Sequence, residues 1–262
     1  MKIITFLTDF GMKDGYVAQM KGVVSSMTDS KLIDITHDIK PHDVREGSFV
    51  LRNSVSYFPV GTVHVAVVDP GVGTFRRGIV VTTKSQILVG PDNGLLMPAA
   101  HFLGDFIVYE ITNNKFMLDS ISNTFHGRDI FSPVAAHIVN EVPFKEIGSQ
   151  IDDFIDMDFG KVKISGRTAT GKIIHIDRFG NIVTNIEGIR LRNFLDYDNK
   201  LMVFIGNKQQ EISFVKSYSF VKKGQFLATI GSSNLIEIGV NQGNAARDLD
   251  VKIDDEIKIL FY

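Results

Sequence analysis

Three polar turns that contain glycine follow apolar runs of the chain and carry residue types that could bind a ligand. They are Thr8-Asp9-Phe10-Gly11, Asp69-Pro70-Gly71-Val72-Gly73-Thr74 and Pro91-Asp92-Asn93-Gly94. A carboxylate beyond the end of a strand can accept hydrogen bonds from both hydroxyls of a ribose, and Asp9 is our candidate for that role. Each turn alone has a simpler explanation as a tight turn that needs glycine, but three at corresponding places in one sheet indicate a site.

The glycines of these turns do not form a phosphate-binding loop. The sequence has no Gly-x-x-x-x-Gly-Lys-Ser/Thr, and Gly71-Val72-Gly73 is not followed by the third glycine and the helix of the dinucleotide pattern. We therefore expect a nucleoside-like ligand rather than a polyphosphate.

Two further segments combine histidine with charged residues. The residue types of His37-Asp38-Ile39-Lys40-Pro41-His42-Asp43 suit a divalent metal ion, but Pro41 interrupts any helix, so the alternative is a loop with a helix cap at Asp43. In Phe125-His126-Gly127-Arg128-Asp129, His126 could orient or deprotonate water. The alternative for that segment is a loop with an internal Arg–Asp pair.

The C-terminal part carries three segments rich in asparagine, glycine and serine, at 177–181, 231–234 and 241–246. Asparagine side chains and the backbone amides of small residues can read the edge of an adenine. The same residues are common in turns, so turn formation alone is the competing explanation. Lys222-Lys223 and the acidic stretch 152–158 are interpreted as solvated faces.

Composition limits the class of protein. The chain has 262 residues, of which 44% are hydrophobic and 22% charged, a balance that supports a buried core. A net charge of −2 argues against a dedicated nucleic-acid binder. The absence of cysteine excludes disulfides, thiolate metal sites and a cysteine nucleophile. The apolar start is too short for a signal peptide or a membrane span, and we expect a soluble, cytoplasmic protein.

Alternating strands and helices must position the N-terminal residues. Helical spacing of apolar residues is found in 16–27 and in 44–57, the second with Asp43 as a plausible N-cap. Strand-like runs occupy 2–7, 31–35, 62–68, 78–82 and 86–89. This order predicts an α/β domain with a mostly parallel sheet and helices on both faces.

The pattern changes after about residue 151. Short strand-like runs lie at 171–177, 200–205, 211–214, 226–230, 235–240 and within 248–261, with no convincing helix among them. These runs predict a smaller all-β domain, a sandwich or a barrel. We place the boundary in the polar stretch 151–165, which gives an N-terminal domain of 1–155 and a C-terminal domain of 165–262.

Taken together, these segments resemble the S-adenosyl-L-methionine (SAM) hydroxide adenosyltransferases, the water-using relatives of fluorinase and chlorinase. The matching segments run the length of the chain and keep the order of the family: 8–11, 41–47, 69–74, 91–94, 125–129, 179–181, 184–186 and 244–246. The resemblance implies an α/β domain followed by a β-barrel, a homotrimer with SAM at the subunit interfaces, and cleavage of SAM by water to adenosine and L-methionine. It implies no cofactor and no metal ion.

The resemblance also assigns roles to individual residues. Asp69, Arg76 and His126 match the triad associated with hydroxide transfer. The substrate-binding matches are Asp9 for the ribose hydroxyls, Asp177 for the methionine ammonium, Asn181 for the nucleoside, Phe220 for the adenine face, Ser232 or Ser233 for the methionine carboxylate, and Asn244 with Ala245 for the adenine edge. The halogenases carry tyrosine where this chain has Asp69, and fluorinase carries serine where it has Gly127.

Attack of water on SAM requires activation of the water and not of the leaving group, because methionine leaves as a neutral thioether. Arg76 could stabilise hydroxide character, and either Asp69 or His126 could take the proton. The competing hypotheses are a metal-dependent hydrolase that uses His37, Asp38, His42 and Asp69, a non-enzymatic sensor of SAM or adenosine, and residual use of halide. The carboxylate of Asp69 should repel a halide ion.

Overall fold

The computed structural model describes residues 2–191 and 194–262. Contacts within the chain divide it into two units, with the boundary between Asp158 and Phe159. Within the described residues, no helix has the length and the apolar character needed to cross a bilayer.

The first unit contains a seven-stranded sheet with helices between its strands. A π-helical turn, Gly127–Phe131, directly precedes the fourth helix. The elements are β1 (Ile3–Thr8), α1 (Tyr16–Ser25), β2 (Lys31–Thr36), α2 (Val44–Val55), β3 (Val63–Val67), β4 (Gly78–Thr83), β5 (Ile87–Pro91), α3 (Met97–Leu103), β6 (Phe106–Glu110), α4 (Ser132–Val139), α5 (Phe144–Ile147) and β7 (Gln150–Ile151).

The sheet of the first unit is mixed, which corrects the prediction of a mostly parallel sheet. Its strand order is β2-β1-β3-β5-β4-β6-β7. The pairings among β2, β1, β3 and β5 are parallel, whereas β4 runs antiparallel to both β5 and β6, and β6 to β7. The reason is the tight connection from β4 to β5, where the amide of Thr83 donates to the carbonyl of Gln86. So short a connection can join only antiparallel strands.

Helices cover both faces of this sheet, as the alternation of strands and helices along the chain predicts. Phe6 of β1 and Val65 of β3 point into the core shared with α1 and α4. Leu7 and Ala66, their neighbours along the strands, point into the core shared with α2 and α3. Because successive side chains of a strand face opposite sides, one apolar run supplies both cores.

A polar network lies inside the first unit. His64 of β3 contacts the Thr5 hydroxyl with Nδ1 at 2.7 Å and Gln86 Oε1 with Nε2 at 3.1 Å. The Gln86 amide nitrogen donates in turn to the Val55 carbonyl at 2.9 Å. Burial lowers the pKa of His64 to about 4, so this imidazole is neutral at physiological pH.

The second unit is a closed β-barrel, which confirms the barrel among the predicted alternatives. Seven strands follow one another in the order β10-β14-β13-β12-β11-β15-β9, and pairing of β9 with β10 closes the ring. Among the described strands of this unit, only β12 and β13 pair in parallel. The elements are β8 (Lys163–Ser165), β9 (Thr168–Ile176), β10 (Ile182–Glu187), β11 (Lys200–Ile205), β12 (Lys208–Phe214), β13 (Phe226–Ile230), β14 (Leu235–Val240), α6 (Ala245–Asp248) and β15 (Glu256–Phe261).

Candidate active site

The three glycine-containing turns lie next to one another, at the edge of the sheet where β1, β3 and β5 end. These strands are neighbours in the sheet and run parallel, so their carboxyl ends share this edge. Asp9 directly follows β1, Asp69 follows β3, and Asp92 directly follows β5. This is the position at which open α/β sheets bind their ligands.

Asp69, Arg76 and His126 form one hydrogen-bonded group at this edge. Arg76 donates to Asp69 through Nε to Oδ1 at 3.2 Å and through Nη2 to Oδ2 at 2.6 Å. Nη2 of Arg76 also lies 3.0 Å from Nδ1 of His126. The side chains of Arg76 and Asp69 are only 8% and 4% exposed, so the ion pair is largely shielded from water.

The hydrogen bond from Arg76 fixes the state of His126. A guanidinium has no acceptor, so Nδ1 of His126 must accept, and the ring proton must lie on Nε2. Burial and the Arg76 charge lower the pKa of His126, which favours the same neutral form. The imidazole therefore offers the site a donor, Nε2–H.

Asp69 retains capacity to accept a further hydrogen bond. Burial raises the pKa of its carboxyl, and the attraction of Arg76 opposes that rise. A carboxylate has more lone pairs than the two nitrogen atoms of Arg76 occupy. Of the two candidate bases, Asp69 is therefore the one able to accept a proton without losing its bond to Arg76.

The segments that carry this group are fixed by local contacts. The amide of Val72 donates to the Asp69 carbonyl at 3.3 Å, which folds the loop back on itself. Gly73 has a φ of +77°, and a Cβ there would overlap the Asn123 carbonyl oxygen. Only glycine thus lets this loop approach the segment that leads to His126.

His126 itself stands at the start of the π-helical turn. The Ser132 hydroxyl donates to the Gly127 carbonyl at 2.7 Å within that turn. Arg128 pairs with the buried Asp129 at 2.6 Å, so the internal Arg–Asp pair and the His126 contact are both present. π-Helical turns occur frequently at functional sites.

Asp9 is half-buried and accepts from the backbone amide of His42 at 2.8 Å through Oδ2. The Gly11 amide donates to the His37 carbonyl at 2.8 Å, which joins the turns after β1 and β2. Asp9 therefore lies within the same edge as Asp69, and its position suits contact with a ribose.

The segment from His37 to Asp43 forms a loop that ends in a helix cap. His37 contacts the Thr8 hydroxyl with Nδ1 at 2.8 Å and Asp34 with Nε2 at 3.0 Å. Asp43 caps α2 by accepting from the Glu46 amide at 2.9 Å. Among the described residues, no group of three or more His, Cys, Asp or Glu side chains is placed to hold a metal ion.

In the second unit, Asp177 organises the turn between β9 and β10. Its Oδ1 accepts from the amides of Phe179 and Asn181, and its Oδ2 accepts from the Asn181 side chain at 2.8 Å. Gly180 has a φ of +83°, and a Cβ there would overlap the side chain of Asn244. Asp177, Asn181 and Asn244 thus lie together.

The remaining predicted residues lie on turns of the barrel. Ala245 begins α6 and is buried, and the amide of the next residue donates to the Gly180 carbonyl at 2.9 Å. Phe220 ends a short 3-10 turn and is 61% exposed. Ser232 and Ser233 form the turn between β13 and β14.

Two residues beside Asp177 were missed by the sequence analysis. Glu237 of β14 accepts a hydrogen bond from the Tyr218 hydroxyl. Burial and the nearby Asp177 charge raise the pKa of Glu237, and burial with the Glu237 carboxyl raises the pKa of Tyr218. The signal was a carboxylate between Ile236 and Ile238 in a strand, where a charged residue is costly without a partner.

The two units have different folds, and each carries its own group of polar side chains. One unit is an α/β domain whose parallel strand ends carry a shielded Asp–Arg–His group. The other is a closed β-barrel whose turns bring together Asp and Asn side chains.

Comparison with known proteins identifies the family. Residues 4–148 match the family model of the SAM hydroxide adenosyltransferase N-terminal domain, and residues 171–258 match that of the C-terminal domain. The chain belongs to the SAM hydroxide adenosyltransferase family.

Individual relatives agree with this assignment. An (R)-S-adenosyl-L-methionine hydrolase of Methanocaldococcus jannaschii is 39% identical over 100% of this chain and 97% of its own length. A fluorinase of Actinoplanes sp. is 31% identical over 70% of this chain and 71% of its own. The crystal structure of an uncharacterized conserved protein from Thermotoga maritima superposes with a TM-score of 0.93 at 38% identity, covering 98% of this chain and 99% of that one.

Proposed function

We propose that this chain hydrolyses SAM to adenosine and L-methionine by in-line attack of water at C5′. The observation that carries the proposal is the shielded group formed by Asp69, Arg76 and His126 at the carboxyl ends of the parallel strands. The full-length similarity to proteins named as SAM hydrolases supports it.

The proposed reaction needs activation of water and no activation of the leaving group. The water oxygen forms a bond to C5′ while the C5′–S bond breaks, and the electron pair of that bond neutralises the sulfonium. One water proton passes to Asp69 and from there to solvent. Because the leaving thioether is neutral, neither a metal ion nor a cofactor is required, and SAM is the substrate.

The side chains of the group have separate tasks in this mechanism. Asp69 accepts from the attacking water, and Arg76 keeps the carboxylate ionised and correctly oriented. His126, with its donor at Nε2, orients the water oxygen. Positioning of this kind can supply several kcal/mol, up to roughly 7–11 kcal/mol in ideal cases.

Substrate recognition is proposed for eight residues. In the first unit, Asp9 holds the ribose hydroxyls. In the barrel unit, carboxylate, amide and aromatic groups bind the methionine and adenine portions of SAM. We propose Asp177 for the ammonium, Ser232 or Ser233 for the carboxylate, Asn181 for the nucleoside, Phe220 for the adenine face, and Asn244 with Ala245 for the adenine edge.

The test is incubation of chelator-treated protein with SAM in ¹⁸O-water, followed by mass spectrometry of both products. Adenosine labelled at its 5′ oxygen, with unlabelled methionine, supports water attack at C5′ without a metal. Activity that returns only after a divalent ion is added would favour the metal-dependent alternative. Bound but intact SAM would favour the sensor, and no binding would contradict the ligand assignment.

We also propose a homotrimer with its active sites at subunit interfaces, located in the cytoplasm. Exposed aromatic side chains next to the proposed site residues support the assembly. Phe75, beside Arg76, is fully exposed, and Phe179, in the Asp177 turn, is 75% exposed. Light scattering coupled to size exclusion gives the subunit number, and a monomer would contradict the proposal.

A further inference from the structure

We infer that the turn Pro91–Gly94 is a positioning element that clamps both ends of the loop bearing Asp69 and Arg76. The inference rests on the proposed function, because it concerns the geometry of the same group. The roles assigned above leave Asp92 and Asn93 unused, although this turn follows β5, the strand that lies between β3 and β4 in the sheet.

Asp92 fixes the end of the loop that carries Arg76. Its Oδ2 accepts from Nε and Nη2 of Arg77, at 3.0 and 2.7 Å, and its amide donates to the Arg77 carbonyl at 2.9 Å. The same carbonyl accepts from Nη1 of Arg76 at 2.9 Å. Asp92 is only 2% exposed, so this ionic contact is shielded from solvent.

Asn93 fixes the other end of the loop. Its side-chain nitrogen donates to the carbonyl of Val68 at 2.9 Å, and Val68 directly precedes Asp69. Its side-chain oxygen accepts from the Leu95 amide at 3.1 Å, which holds the Asn93 rotamer. Two adjacent residues of one turn therefore set the backbone on both sides of the reactive loop.

This arrangement links the turn to the chemistry through the backbone of the loop that carries Asp69 and Arg76. The distance between the Asp69 and Arg76 side chains depends on the positions of the two ends of the loop. The turn holds both ends through hydrogen bonds to the backbone. A displacement of about 1 Å can cost roughly 100-fold in rate. Loss of the clamp should thus lower kcat far more than it weakens ligand binding.

Asp153 provides a matched control. It binds the same guanidinium as Asp92, through Nη1 of Arg77 at 2.9 Å, but its side chain is 81% exposed. An exposed ion pair contributes little. The Asp153→Asn variant removes a carboxylate from Arg77 and leaves the shielded contact with Asp92 intact.

The experiment compares Asp92→Asn, Asn93→Ala and Asp153→Asn with the unaltered chain. The Asp92→Asn side chain can still accept from the Ile155 amide, which contacts Oδ1 of Asp92 at 2.8 Å, but its uncharged amide no longer pairs with Arg77. We expect kcat for SAM to fall roughly 10- to 100-fold in Asp92→Asn and about 10-fold in Asn93→Ala. KM and the Kd of adenosine should stay within about threefold, and Asp153→Asn should keep kcat within about threefold.

A second readout separates this inference from the proposed function. In ¹⁵N-histidine spectra, the His126 signals are assigned by their loss in His126→Gln, and the bond from Arg76 makes Nδ1 an unprotonated acceptor. Asp92→Asn should shift the His126 Nδ1 signal, while Asp153→Asn should not. If the unaltered chain does not hydrolyse SAM, the proposed function fails, and this shift alone decides the inference.

Two outcomes would overturn the inference. One is an Asp92→Asn protein with unchanged kcat and unchanged His126 signals. The other is an equal loss of kcat and of adenosine affinity, which would indicate general loss of structure. If Asp92→Asn does not fold, Asn93→Ala decides by the same measurements, and thermal unfolding verifies that each variant is folded.

Discussion

Arg76 holds the Asp69 carboxylate with two nitrogen atoms, at 3.2 and 2.6 Å, while burial raises the pKa of that same carboxyl. The two effects oppose each other, and the guanidinium limits how far the pKa rises. The protonation of Asp69 therefore depends directly on the position of Arg76.

This relationship predicts the acid side of the pH–rate profile. Asp69 must be ionised to accept from water, so kcat should fall as pH decreases through its pKa, which burial raises above the ordinary value for aspartate. The pKa of His126 is lowered from its ordinary value of 6.5, so any limb due to this ring should lie below pH 6.5. Profiles of kcat from pH 4 to 8 provide the measurement.

The variant Arg76→Gln tests the cause. Without the guanidinium, the pKa of Asp69 should rise further, and the acid limb should move to higher pH. An acid limb at the same pH in both proteins would show that another group controls it.

The three side chains should act as one unit. Because Arg76 bonds to both Asp69 and His126, removal of any one of them disturbs the other two. We expect each single alanine variant to lose nearly as much kcat as the triple variant, with single losses of at least roughly 100-fold. Kinetics of the full mutant cycle provide the measurement, and losses that add would contradict the prediction.

The close approach of Gly180 to Asn244 should be required for the barrel turn. In Gly180→Ala, the φ of +83° is strained and the new Cβ overlaps Asn244. We expect the free energy of unfolding to fall by about 1–3 kcal/mol and KM to rise. Gly206→Ala is the control, since Gly206 has a φ of +56° but nothing within 4 Å of its Cβ position. Equal losses of stability in denaturant titrations would show that strain alone matters.

The buried His64 should make stability depend on pH. Its pKa is about 4 in the folded chain and about 6.5 when unfolded, so the unfolded state binds more protons between these values. Stability should be fully present above pH 6.5 and should fall as pH drops toward 4, by about 3 kcal/mol. Denaturant titrations across this range should show a shallower fall for His64→Gln, and His101→Gln, at an exposed position, is the control.

Several apolar elements were predicted from the sequence, because burial dictates their pattern, but α3, α4 and β6 were not. The predicted strand at 62–68 and helix at 44–57 correspond to β3 (Val63–Val67) and α2 (Val44–Val55), and Asp43 is the N-cap. Strand β10 was missed because Thr184 and Asn185 interrupt its apolar run. Both side chains are satisfied by distant partners, the carbonyls of Ile236 and Phe159, which no local pattern reveals.

Some residues of the candidate site were predicted from the sequence, and others were not. Asp69, Arg76 and His126 were found from the resemblance, and the structure brings them within hydrogen-bonding distance. Glu237 and Tyr218 were not found, since their pairing joins strand β14 to the 3-10 turn Tyr218–Phe220 through side chains alone. The direction of β4 also escaped prediction, although the short connection between the strand-like runs 78–82 and 86–89 indicates an antiparallel pair.

The reversal of β4 has a consequence for where reactive groups can originate. In a sheet whose strands all point one way, the residues that precede a strand lie at the edge opposite those that follow it. Because β4 runs against β5, its amino end shares the edge with the carboxyl ends of β3 and β5. Asp69 follows the end of β3 and Arg76 precedes the start of β4, so the connection from β3 to β4 begins and ends at the same edge of the sheet. The direction of β4 thus places the cation of Arg76 beside the carboxylate of Asp69. In a sheet with all strands parallel, the two groups would lie at opposite ends of the strands.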